Sequence, residues 1–515
     1  MSYIEIFGLT IVISLVFGVL LFSKLFVKAG RKTWEAYVPI YNYVVVLDII
    51  KRPKWWIILL FIPVVGNIMI LVLVYEFLHV FNYRKKRYTL FTIVSLGLFL
   101  VYINFDSKTK YVGLDKEVIL KNVTSWTSAI LFAIVAATLV HTYFMRPYTI
   151  PTSSLEKSLL IGDYLFVSKF HYGARTPMTP LALPMVHDSI PFSGKASHIK
   201  DKRFQLPYFR LPALQKIKTN DIVVFNWPAD TLKTMWGDKS GEFTYKPIDK
   251  KTNYVKRCVA IAGQKFEIKN GDIYINDKLS IMPDRAKPQF YYVVKLKENV
   301  DPIPLLKTYH VREGEARRNN FGELLFNLDE KNATRLKNNP KVRSVKKKLT
   351  PSGEYDKDIF PHDPQYPWSI DNFGPINIPK KGETVELNRK TIPFYRDLLK
   401  RYEGISFAEN GNDFFVNGKK ITQYTFKQDY YWMMGDNRQN SLDARYWGFT
   451  PFDHVVGKPV FIWFSWDAIN KRVRKERLFT TVGGDGKPVS YLNYFIGFLI
   501  LYFGYGFLKK KKIKD

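Results

Sequence analysis

Residues 254–277 read YVKRCVAIAGQKFEIKNGDIYIND, and their pattern decides the fold of the middle of the chain. Apolar and polar residues alternate on both sides of Asn270-Gly271. A period of two marks β-strands, and an Asn-Gly pair supplies the positive φ values of a tight hairpin turn. Further out the same signature recurs in DYLFVSKF (163–170), DIVVFNW (221–227), GNDFFVNGKKI (411–421, with a second Asn-Gly at 417–418) and KPVFIWFSW (458–466). Long helical periodicity is missing from residues 146–490, which are therefore expected to form a mainly antiparallel β domain. Residues 171–219 are Pro-rich and read as an extended loop. Residues 285–404 are charged, with helical patterns near 318–338 and 390–402, and read as an inserted α+β subdomain.

The ends of the chain follow a different rule. Runs at 6–27, 55–81, 88–105, 125–144 and 491–508 are apolar and edged by Trp, Tyr and Lys. Each has the roughly 20 residues needed to cross a bilayer core. The expected architecture is multi-domain: N-terminal transmembrane α-helices, a mainly antiparallel β ectodomain with an α+β insertion, and a C-terminal transmembrane helix. The segments are an N-terminal transmembrane region (1–110), a fourth span with its cytoplasmic approach (111–145), the two parts of the β domain (146–284 and 405–490), the insertion (285–404), and the last helix with its basic tail (491–515). The first run does not read as a cleavable signal, because its charged flank follows it and no small-residue cleavage site precedes the next apolar run. Basic residues in short loops set orientation. The tail Lys509–Lys512 with Lys514, together with Lys28, Arg31, Lys32, Lys51, Arg52 and Lys54, places the N-terminus and residues 145–490 outside the cytoplasm. Arg84, Lys85, Lys86 and Arg87 oppose that count, and Pro63 and Gly66 interrupt the 55–81 run, which also fits a re-entrant hairpin.

The 515 residues carry 77 Lys+Arg against 46 Asp+Glu, a net charge of +31 that suits an anionic membrane face, nucleic acid or a Lys-rich proteome alike. The basic run Lys341–Lys348 reads as solvated surface, so no nucleic-acid partner is expected; the apolar ends imply a lipid bilayer instead. A single cysteine, Cys258, excludes internal disulfides and multi-cysteine zinc sites, and neither a metal nor another cofactor is expected.

Four blocks stand in a fixed order: IPTSSLEKSLLIGD (150–163), NDIVVF (220–225), YVKR (254–257) and GDNRQNSLDARYWG (435–448). In these blocks the chain resembles bacterial signal peptidase I, the Ser/Lys leader peptidases. The likeness covers roughly residues 140–280 and 405–470, and the additional N-terminal runs look like the elongated Bacteroidetes-type form. It implies a membrane-bound serine endopeptidase on the extracytoplasmic face of the bacterial cytoplasmic membrane, which removes signal peptides from exported precursors after small residues of the Ala-x-Ala type.

By motif position the resemblance makes Ser154 the nucleophile and Lys256 the general base. A serine hydroxyl needs such a base, and a lysine qualifies only when neutral, so its ordinary pKa of about 10.4 must fall through burial. The Ser154 N–H and the Thr152 hydroxyl are the implied oxyanion donors. Ser441 is implied to hydrogen-bond the lysine nitrogen, with Asp443 and Arg445 as a salt-bridged pair behind it and Asp436 and Arg438 expected as a further pair. Tyr148, Ile150, Pro151, Leu155, Tyr254 and Val255 are the implied walls of the substrate pockets. Because Arg146-Pro147 follows the fourth run closely, Ser154 is expected near the outer lipid surface. None of the eight histidines lies in the four blocks, which disfavours a Ser/His/Asp triad. The sequence departs from the family at Lys157, which replaces a proline, at Asn220, which replaces a turn glycine, and at Ala262-Gly263-Gln264, which replaces Pro-Gly-Asp. An inactive membrane scaffold on the same fold is the alternative, opposed by the intact Ser154, Lys256, Ser441, Asp443 and Arg445.

Overall fold

The computed structural model describes residues 3–113, 126–232, 243–312, 314–319 and 322–512. The approach to the fourth apolar run (114–125) and the last three residues of the basic tail lie outside them. The chain folds as two units.

The first unit comprises Met1–Phe144, Ala174–Leu211 and Tyr245–Lys250. Its first helix, Tyr3–Lys28, is unbroken. Leu25, Phe26, Val45, Leu47, Phe77 and Leu78 are buried in a shared apolar core. The other N-terminal runs do not form the straight spans expected from their hydropathy. The 55–81 run divides into helices Trp56–Leu60 and Val65–Val80, separated at Pro63, whose nitrogen has no hydrogen to give a helix. The 88–105 run becomes Lys86–Val94 and Leu98–Phe105, bent by 114°. Leu96 and Gly97 sit in that bend at φ 50° and 91°, left-handed values that end a right-handed helix. The 125–144 run is α-helical over Trp126–Leu139 and continues as a π-turn through Phe144. Among the described residues no single helix is long and apolar enough to cross a membrane, and only the bent pair reaches the required length of apolar sequence.

The second unit comprises Met145–Gly173, Pro212–Thr244 and Lys251–Asp515. It is mainly antiparallel β, as the alternating runs imply. Its largest sheet orders Met145–Thr149, Asp163–Ser168, Val455–Asp467, Ile222–Asn226, Asn253–Ala260, Tyr430–Met434 and Thr450–Pro451 side by side. Both Asn-Gly hairpins form: Asn270 and Gly271 have φ 51° and 83°, and Asn417 and Gly418 have φ 50° and 79°. A separate four-stranded sheet, ordered Val342–Lys347, Gln289–Leu296, Leu324–Asp329 and Ala316–Arg318, lies within the insertion. Leu336 of helix Glu330–Lys337 is buried in one cluster with Phe326 and Leu328 of this sheet. Phe266, Phe360, Phe373 and Trp432 share another core, which joins the later part of the insertion to the hairpin 265–275. The family departures keep the turns they occupy. Asn220 adopts φ 73°, as a glycine would, and the Gln264 side chain accepts the Ile261 N–H at 2.9 Å across its turn.

Candidate active site

Ser154 sits in a short 3₁₀ turn, Ser153–Leu155, that follows the first strand of the large sheet. The turn is pinned by its backbone. The Ser154 carbonyl accepts the Asn437 N–H at 3.1 Å, and the Asn437 side-chain amide donates to the Ser153 carbonyl at 3.1 Å. Ser154 is 7% exposed, whereas Thr152, just before the turn, is exposed and uses no side-chain cap bond. Gly435 makes the close approach possible: a Cβ there would lie 2.5 Å from the Ser154 carbonyl oxygen and 2.3 Å from the Ser441 Oγ.

Lys256 lies in strand Asn253–Ala260, paired with Val223 on one neighbour, and is 4% exposed. Burial pushes its amine down to about 8, against the upward pull of Asp443 and with Arg445 assisting the fall. Its Nζ is 5.6 Å from the centre of the Tyr254 ring. Tyr254 stacks flat on Trp227, ring centres 5.2 Å apart, and meets Trp447 edge-on. No hydrogen bond joins the Ser154 hydroxyl to the Lys256 amine among the described residues. What connects the two is the GDNR loop. Gly435 packs on the Ser154 carbonyl and donates its N–H at 3.1 Å to Asp443, the carboxylate that acts most strongly on Lys256.

The Asp443–Arg445 pair forms as expected, with two contacts of 2.9 and 2.8 Å and both side chains wholly buried. Burial alone raises the Asp443 carboxyl, but Arg445 and Lys256 hold it below its ordinary value. Two other expectations are corrected. Asp436 does not pair with Arg438. Its carboxylate instead receives the Arg257 guanidinium through both oxygens, at 2.8 and 2.6 Å, and accepts the Ser158 hydroxyl at 2.5 Å. Arg438 is buried, its Nε is without a partner among the described residues, and burial pushes its guanidinium down to about 10. Nor does Ser441 reach the lysine: its buried Oγ makes no hydrogen bond among the described residues, because it packs against the bare Cα of Gly435.

Of the implied substrate walls, Tyr148, Ile150, Leu155 and Val255 share one apolar cluster, and Pro151 is exposed. Tyr254 does not join them. Strand alternation sends it to the opposite face from Val255, into the cluster of Val223, Phe225 and Met433. A rival serine–histidine contact exists between the Ser168 hydroxyl and His171 Nδ1 at 2.5 Å, but Ser168 is fully buried and no substrate carbonyl can reach it.

The sequence reading missed Arg257, Ser158 and the role of Asn437, and also Glu315, Asn327 and Asp329. Arg257 had a usable signal. It follows Lys256 on a strand, so it must face away from that lysine and, when buried, requires a carboxylate of its own.

The model of the family described as signal peptidase, peptidase S26 matches residues 123–316 and 376–466, more than half of the chain, and the chain belongs to that family. Its relatives include signal peptidase I of Buchnera aphidicola subsp. Acyrthosiphon pisum, 24% identical over 71% of this chain and 81% of the relative. Signal peptidase I of Helicobacter pylori strain 26695 is 24% identical over 72% of this chain and 97% of its own length. That of Haemophilus influenzae is 24% identical over 68% and 74%. The chain is thus a peptidase of this family, a hydrolase. Residues 34–114 match a second model, described as a family of unknown function (DUF5684).

Proposed function

We propose that this chain cleaves exported precursors after small residues of the Ala-x-Ala type, using Ser154 as nucleophile and neutral Lys256 as general base. The observation that carries the reading is the amine of Lys256, enclosed in the β domain and brought down to about 8 beside the loop that braces Ser154. In the reaction the Ser154 Oγ attacks the scissile carbonyl and its proton passes to the Lys256 Nζ. The developing oxyanion receives the Ser154 N–H and the Thr152 hydroxyl. Collapse leaves an ester on Ser154 and expels the mature protein's amine, which takes its proton from the Lys256 ammonium. Water then attacks the ester, with Lys256 again accepting the proton, and releases the signal peptide's carboxylate. Asp443 with Arg445, and Asp436 with Arg257, keep the loop beside the amine in place. Tyr148, Ile150, Pro151, Leu155 and Val255 receive the residues before the cut, and Tyr254 backs the base.

The same reading places the protein in the cytoplasmic membrane with residues 145–490 on the outer face. The apolar runs at both ends support this, among them the bent pair Lys86–Val94 and Leu98–Phe105. Enzyme and precursor are then confined to one plane, which raises their effective concentration. The test uses detergent-solubilised protein and a purified precursor with an Ala-x-Ala site, and maps the new N-terminus by mass spectrometry. Ser154→Ala and Lys256→Ala are expected to abolish the cut without loss of fold. Undiminished cleavage in both variants overturns the mechanism.

A further inference from the structure

The turn that carries Ser154 is held from two sides, and only one of them belongs to a recognisable motif. The other is the insertion. Lys157, the residue that departs from the family proline, adopts φ 66°, a left-handed value that a lysine holds only when its surroundings enforce it. Its Nζ lies 2.5 Å from Asp329 Oδ2, with the side chains 15% and 11% exposed. Asp329 is fixed from its own side as the last residue of strand Leu324–Asp329, paired with Gln289, and as the cap of helix Glu330–Lys337, where it accepts the Asn332 N–H at 2.9 Å. Gln289 in turn donates its side-chain amide to the Glu156 carbonyl at 2.7 Å. Asn327 donates to Asn437 Oδ1 at 2.6 Å, and Glu315 accepts from Asn437 Nδ2 at 3.0 Å, the same amide that holds the Ser153 carbonyl. Residues 153, 154, 156 and 157 are therefore all tied, directly or through Asn437, to the sheet of the insertion.

We propose that the insertion is a positioning element for the nucleophile, locked to the Ser154 turn by the Lys157–Asp329 ion pair. Most of this pair is shielded from water, so loss of one partner strands the other as an uncompensated charge and frees the turn. A displacement of about 1 Å at a reacting atom costs up to roughly a hundredfold in rate, while remote contacts with substrate remain. The inference rests on Ser154 being the nucleophile.

The experiment is a double-mutant cycle on precursor cleavage by the full-length protein. Asp329→Asn keeps the helix cap and removes the charge; Lys157→Met acts from the opposite side of the contact, outside that helix. Each single variant is expected to lower kcat about tenfold or more with KM within about twofold, and the pair together is expected to lose no more than the worse single variant. The reversed pair, Lys157→Asp with Asp329→Lys, is expected to recover activity relative to either reversal alone. Unchanged kcat in both singles, or losses that multiply in the double variant, overturn the proposal. Ser154→Ala runs alongside: if it still cleaves, the nucleophile assignment fails, whereas an inactive Ser154→Ala with fully active single variants refutes the clamp alone.

Discussion

Replacing Lys256 by methionine should stabilise the fold at neutral pH while ending catalysis. The amine is brought from 10.5 to about 8 by folding. A fall of about 2.5 units is worth about 3 kcal/mol at about 1.36 kcal/mol per unit. The sign follows from proton counts. Between pH 8 and 10.5 the unfolded chain holds the proton that the folded chain has released, so this lysine's contribution to stability rises with pH across that window. Below pH 8 the cost of burying its charge is present in full; above 10.5 it vanishes. Lys256→Met removes that cost and keeps the length of the side chain. In urea unfolding of the solubilised protein, the variant is expected to gain up to about 3 kcal/mol at pH 7 and nothing near pH 10.5. The wild-type cleavage rate gives the companion measurement. About a tenth of the amine is neutral at pH 7 and about nine tenths at pH 9, so kcat/KM should rise about tenfold between them. An equal stability difference at both pH values, or a rate limb centred near 6.5 as a histidine would give, refutes the reasoning.

Breaking the buried Asp436–Arg257 ion pair gives the opposite result. Asp436→Asn leaves the Arg257 guanidinium buried without its carboxylate and should cost about 3–5 kcal/mol in chemical denaturation, whereas removing both partners with apolar residues of similar volume should recover most of that. Gly435→Ala places a methyl 2.5 Å from the Ser154 carbonyl and 2.3 Å from Ser441 Oγ. It should destabilise by about 1–3 kcal/mol and cut kcat at least tenfold, as read by thermal melting and precursor cleavage; a fully active, equally stable variant would contradict the packing described.

The parts of this fold visible in the sequence are those with local causes. Asn270-Gly271 and Asn417-Gly418 announce their hairpins because the turn itself demands positive φ. Asp443 and Arg445 stand two residues apart, so their meeting is within local reach. Hydropathy gives the positions of the N-terminal runs but not their shape, since it does not register what Pro63 or the Leu96-Gly97 pair does to a helix. The Asp436–Arg438 expectation failed through proximity: a carboxylate two residues from one arginine was captured by Arg257, which is 179 positions away in sequence and shares its buried site. Glu315 and Asp329 carry no local mark. Their meeting with the nucleophile turn depends on the pairing of Leu324–Asp329 with Gln289–Leu296, a non-local event that no window of sequence contains.

The scattering of these supports along the chain also sets the order in which the enzyme becomes competent during synthesis. Ser154 leaves the ribosome long before Asp329, Gly435 and Asp443, and domains complete themselves from the N-terminus onward. A nascent chain halted ahead of its GDNR loop already displays the hydroxyl but lacks the carboxylate and glycine against which that turn and its base are set. On the proposed Ser154 and Lys256 roles, competence arrives only when residues 435–448 have been made and folded against that turn.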